Sequence, residues 1–130
     1  MKKILLSLAV TSLLACPVFA GEAHKHAGSK EAASVTALQG EVLDMNCYME
    51  HAGSGAKHAK CAKSCAVGGA ALGLLKADGS AVLLLENHDK SKGFAKVREL
   101  AAEQVKLTGK LVTRGGMQAF IVDDVEKAGK

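Results

Sequence analysis

The residues best suited to chemistry fall between positions 45 and 65: Met45-Asn46-Cys47-Tyr48-Met49, His51, and His58-x-x-Cys61-x-x-x-Cys65. Thiolate, thioether and imidazole are soft or borderline donors. The set therefore points to a thiophilic ion, Cu(I) first, and Zn(II) second if cysteines and a histidine close a tetrahedron. On a helix advancing about 100° per residue, Cys61 and Cys65 stand about 300° and 340° round from His58, so all three share an arc of about 60°. Met45, Cys47 and Met49, read as the end of a strand, alternate onto one face and bring three sulfurs together. His51, in the glycine-rich stretch between the two groups, can supply or replace an imidazole. The candidate metal ligands are thus Cys47, Cys61, Cys65 and His58, with Met45, Met49 and His51 as helpers.

Other uses of the same side chains compete with metal binding. Three cysteines follow Cys16, and an odd number allows at most one internal disulfide. On one helix the Cβ vectors of Cys61 and Cys65 run alongside each other, so Cys47 is the partner if a bridge forms. A staple across roughly 15 residues would add about 3 kcal/mol to a small exported domain. The spare thiol could instead carry a mixed disulfide or persulfide, its ionisation helped by Lys57, Lys60 and Lys63. Neither Cys-x-x-Cys nor Cys-x-x-Cys-His occurs, which removes the usual sequence support for thioredoxin-type redox work and covalent haem attachment. Met45 and Met49 alternating on a strand also suit an ordinary core, and Tyr48 suits packing against the helix that follows.

The chain has 130 residues and four cysteines, with Lys and Arg numbering 17 against 13 acids, a net charge of +4. Met1-Lys2-Lys3, the apolar run Ile4 to Ala15, and Pro17-Val18-Phe19-Ala20 together read as an export signal cut after Ala20. Without Lys2 and Lys3 the basic count falls to 15 and the net charge to +2. That balance, with no Trp, argues against a dedicated nucleic-acid binder. The apolar run is shorter than the roughly 20 residues a membrane helix needs. Leu13-Leu14-Ala15-Cys16 also resembles a lipoprotein signal, which would put a lipid anchor at Cys16. The compartment expected is the periplasm or beyond, where paired thiols oxidise. Residues 21–34 read as a flexible leader, with His24 and His26 as a weak metal handle.

One domain is expected over residues 35–127. Val35 to Met45 is a β-rich run with Gly40 where a bulge or sharp bend belongs, and Ala56 to Val67 favours a short helix stopped by Gly68-Gly69. Leu72 to Leu75 and Val82 to Leu85 flank Asp78-Gly79, a hairpin signal. Asp89 or Ser91 can cap a second helix whose Phe94, Val97, Leu100 and Ala101 form an apolar stripe. Val105 to Val112 and Ala119 to Val125 close the chain as two strands around Arg114-Gly115-Gly116. The order is β, short helix, β, β, helix, β, β. With the first helix taken as an insertion, this order resembles small exported bacterial OB-fold proteins: a mainly β, five-stranded barrel with a Cys/His helix between strands 1 and 2 and a helix between strands 3 and 4. The resemblance implies a ligand site on strands 2 and 3 and on the loops joining strands 1 to 2 and 4 to 5. The inserted helix sits in the first of those loops.

The remaining polar groups offer less. His88 reads as a loop residue, Asp123, Asp124 and Glu126 as a solvated strand end, and Gly115-Gly116 as a hairpin turn lacking the strand-to-helix setting of a phosphate loop. No nucleophile with an identifiable base and orienting acid is present, so the expectation is a binding protein and not an enzyme. Its partner is then a soft metal ion, copper before zinc. The alternative is a disulfide-stapled module that recognises a cell-envelope protein without metal.

Overall fold

Leucine- and valine-rich runs become strands here, and the residues between them decide where each strand stops. The structure, a computed structural model, describes residues 35–129. In chain order it contains β1 (Thr36–Asp44), α1 (Met45–His51), α2 (Ala59–Val67), β2 (Leu72–Leu75), β3 (Ala81–Glu86), α3 (Ser91–Glu99), β4 (Gln104–Arg114) and β5 (Met117–Lys127). The fold is mainly β, and the five strands close into a barrel in the order β1-β2-β3-β5-β4.

Closure depends on β1, which pairs with β4 over Thr36–Glu41 and with β2 over Glu41–Asp44, both antiparallel. The handover falls beside Gly40. A side chain there would strike the Leu75 carbonyl, so glycine is what allows the strands to pass this closely. The bulge or bend expected at Gly40 is not where the ladder breaks: β1 keeps its register through Gly40, and the irregularity lies in β4 between Thr108 and Gly109. β3 and β5 pair in parallel and the other neighbours antiparallel.

Alternating side chains of the strands fill the barrel with Val42, Leu72, Leu74, Val82, Leu84, Val105, Leu107, Phe120 and Val122. α3 adds Phe94 and Val97 to that core, followed by Ala101, which is the apolar stripe expected from the sequence. α2 contributes only Ala62 and Ala66, whose small side chains let this helix lie close to its support.

Two boundaries differ from the sequence expectation. Extended structure ends at Asp44, whereas the reading above carried a strand face through Met49. The Asp44 side chain accepts a hydrogen bond from the Asn46 amide at 3.0 Å, which satisfies a first-turn donor and starts α1. Two short helices, not one, consequently fill the β1–β2 connection, and α2 begins at Ala59 after a turn over residues 56–58. At α3 neither Asp89 nor Ser91 is the cap. Lys90 holds that position without a side-chain bond, and the Asp89 amide is instead held by Asn87 at 3.0 Å.

The signal segment 1–20 with Cys16, and the leader 21–34 with His24 and His26, lie outside the described residues. Among the described residues no helix is long and apolar enough to cross a membrane.

Candidate metal centre

The site grows from the top of β1. Asp44 is paired with Leu72 in the β1–β2 ladder and is 1% exposed. One carboxylate oxygen is used by the Asn46 amide, and the other, Oδ2, is buried with no hydrogen-bond partner. The thiols of Cys47 and Cys65 stand beside it, and the ligand atoms of these three residues lie within 4.8 Å of one another. Burial pushes the Asp44 carboxyl up, but the two thiols and the backbone amides of Asn46 and Cys47 outweigh that and hold it below its ordinary value. The reverse effect falls on the sulfurs. Asp44, then burial, then Cys61, push the Cys47 thiol up to about 12. The same three causes push Cys65 up to about 11.

A second triad shares Cys47. The ligand atoms of Cys47, His58 and Cys61 also lie within 4.8 Å of one another, with the Cys47 and Cys61 Sγ atoms 3.9 Å apart. His58 is the residue at the start of α2, and Cys61 and Cys65 follow it on that helix. The His58 Nε2 is buried without a partner. Its ring rests on Gly53, where a Cβ would come within 2.8 Å of Nε2, so the missing side chain makes room for the imidazole. His51 meets His58 edge to face, with ring centroids 5.3 Å apart. Cys61 is exposed, whereas Cys47 and Cys65 are half-buried.

Contacts from the barrel fix these helices. Arg98 of α3, stacked 5.0 Å over Phe94, donates to the carbonyls of Ala66 at 3.0 Å and Ala70 at 3.3 Å. It thus supplies the α2 C-terminus with a cation where the helix dipole favours one. Lys63 of α2 reaches Glu103 at 3.0 Å, and Lys127 joins the same carboxylate at 3.1 Å. Glu41 of β1 accepts from the Gly55 amide at 2.6 Å and pins the loop between α1 and α2.

The structure brings Cys47, Cys61, Cys65 and His58 together, with His51 beside His58. The methionines are placed otherwise. Because residues 45–51 are helical, Met45 and Met49 each stand about 160° from Cys47 around the axis, and the strand alternation that aligned three sulfurs does not exist. The Met45 sulfur packs over Gly73, and Met49 is 74% exposed. His51, four residues after Cys47, takes the face the methionines were expected to share.

Three further points depart from the sequence reading. Asp44 was missed as a site residue, although an acid closing the apolar pair Val42-Leu43 signals either a cap or a polar task. Arg98 was missed because its partners are backbone carbonyls 32 and 28 residues away. The lysine-activated thiol also fails at two of the cysteines: Asp44 raises Cys47 and Cys65, and Lys63 is engaged with Glu103. Away from the site, Asp123 binds Asn87 at 2.6 Å and Lys90 at 2.7 Å, and Asp124 binds Lys96 at 3.3 Å, so the acidic end of β5 holds α3 in place. His88 is exposed in the turn before α3.

Comparison of the chain with known protein families, curated proteins and solved structures finds no match. The chemistry of the site must then be read from its own donors. Cys47, Cys61, Cys65 and His58 supply three sulfurs and an imidazole, and Asp44 adds a carboxylate from below. Within each of the two triads, Cys47 with His58 and Cys61, and Cys47 with Asp44 and Cys65, the donors lie near enough to one another to hold a metal ion.

Proposed function

We propose that this protein is an exported metal-binding module of OB-fold type that holds a thiophilic ion through Cys47, Cys61, Cys65 and His58. The observation that carries this reading is the Cys47–Cys61 spacing of 3.9 Å with His58 alongside. Two sulfurs each about 2.3 Å from a tetrahedral ion stand about 3.8 Å apart, whereas a disulfide needs about 2.05 Å. The buried, unpartnered His58 Nε2 adds support, since a polar atom kept from water at a structural cost marks a ligand's place. The barrel order with a parallel β3–β5 pair supports the OB-fold assignment, and the site lies in the β1–β2 connection, where such barrels bind ligands.

Cu(I) is the ion proposed on softness, as three thiolates and an imidazole suit it. Zn(II) is the second reading and is favoured by a specific observation. Asp44, a hard oxygen donor, lies beside Cys47 and Cys65, while the thioethers of Met45 and Met49 stand on another face. Competition between the two ions, with Cys61→Ser and His58→Ala as controls, tests the assignment. Each variant should weaken binding while the fold survives, and unchanged metal content in both would overturn it.

A further inference from the structure

The donors of the site do not form one compact quartet. Among the described residues, those within 4.8 Å of one another fall into two triads, Cys47 with His58 and Cys61, and Cys47 with Asp44 and Cys65. Cys47 alone belongs to both. Among the described residues, the buried side-chain atoms left without a hydrogen-bond partner are Asp44 Oδ2 and His58 Nε2, so each triad contains one residue with an unsatisfied buried polar atom. A deprotonated sulfur keeps more than one lone pair and can bind two ions at once.

Charge points the same way. Three thiolates and the Asp44 carboxylate carry four negative charges when all are ionised. One divalent ion held by the Cys47 and Cys61 thiolates would leave the 1% exposed Asp44 carboxylate without a countercharge, which burial disfavours. Two divalent ions balance the four.

We infer that the site takes a pair of divalent thiophilic ions bridged by the Cys47 sulfur, one completed by His58 and Cys61 and the other by Asp44 and Cys65. This rests on the Zn(II) form of the thiophilic reading above and deepens it, since it fixes both the stoichiometry and the role of Asp44 as a ligand. Binding releases the three thiol protons to solvent, and no oxidant or reductant is involved.

The test is a Zn(II) titration of the full chain with its cysteines reduced, counting bound ions by native mass spectrometry and checking the fold by circular dichroism. Two ions per chain are expected. Asp44→Asn keeps an acceptor for the Asn46 amide and removes the anionic ligand, so its count should fall to one. Cys65→Ser strips the same half of the site and replaces Asp44→Asn if that variant does not fold. Cys61→Ser should also fall to one, and Cys47→Ser should lose the tight binding of both. One ion in the wild-type chain overturns the bridged pair and leaves the thiophilic reading standing. No ion overturns the bridged pair and the Zn(II) reading together and leaves Cu(I) to be titrated in its place, and two ions in Asp44→Asn and Cys65→Ser alike overturn the assignment of the second half.

Discussion

The Sγ atoms of Cys47 and Cys61 lie 3.9 Å apart although fourteen residues separate them in sequence. Each stands on a different short helix, and both helices are anchored to the barrel by other residues. The pair is thus positioned before any ion arrives, and an ion binding it need not fold the domain. Cys61→Ser and His58→Ala should lower metal affinity with thermal unfolding of the metal-free protein little altered, because Cys61 is exposed and His58 lies at a helix start. Cys47→Ser should be the most damaging of the cysteine variants, as its sulfur faces every other donor group. Equal losses at Cys47 and at a cysteine outside the triads' shared position would contradict this.

Gly53→Ala tests the imidazole's seat. A Cβ at Gly53 would lie 2.8 Å from the His58 Nε2 and 2.9 Å from Cδ2, so the ring must turn away. Metal affinity should fall about ten- to a hundredfold, the usual scale for disturbing a ligand's support, while the melting temperature of the metal-free chain changes little. Isothermal titration beside a thermal melt separates the two effects, and an unchanged affinity would remove His58 from the ligand set.

Arg98→Ala should unfold more easily. It strips the carbonyls of Ala66 and Ala70 of a charged donor, a loss of about 1.5–3 kcal/mol. For a domain of this size that lowers the melting temperature by roughly 10 °C. Metal affinity should fall with it, since α2 carries Cys61 and Cys65. A melt equal to the wild type would show that α2 docks without Arg98, through Ala62, Ala66 and the Lys63–Glu103 pair.

Acid should loosen the same helix. The side chains of Lys63 and Lys127 hold the Glu103 carboxyl below its ordinary 4.5. A depressed acid stabilises the fold above its unfolded value, and that contribution disappears as pH falls from about 4.5 through the lowered one. Glu103→Gln should therefore flatten the acid limb of a stability curve, and an identical limb in the variant would assign the acid sensitivity elsewhere.

The thiols respond to Asp44 in the opposite sense. Side-chain hydrogen bonding to its carboxylate favours the protonated thiols and is the first cause of the raised values of about 12 at Cys47 and about 11 at Cys65. Asp44→Asn should bring both down, so alkylation of these two cysteines at mildly alkaline pH should become faster, as mapped by peptide mass. Rates unchanged at both positions would contradict the carboxylate's influence.

Much of this arrangement was legible in the residues. Leu72 to Leu75, the Asp78-Gly79 turn and the stripe of Phe94, Val97 and Ala101 declare themselves because local turn chemistry and side-chain period agree with the tertiary contacts. His58, Cys61 and Cys65 could be placed on one face because a single helix carries or begins with all three. The segment after Asp44 was harder. Met45-Asn46-Cys47-Tyr48-Met49 has no decisive period, and one hydrogen bond, from the Asn46 amide to Asp44, turns it into a helix and moves two methionines off the cysteine's face. Arg98 and Glu103 act across the fold on α2, and no local pattern carries that information.

Native and then denatured mass spectrometry of the protein recovered from cells, with no metal or reductant added, tests metal binding most directly. The native mass should show bound metal, and the denatured mass should show Cys47, Cys61 and Cys65 all reduced. A metal-free chain two hydrogens light would contradict it and make Cys47 half of a structural disulfide.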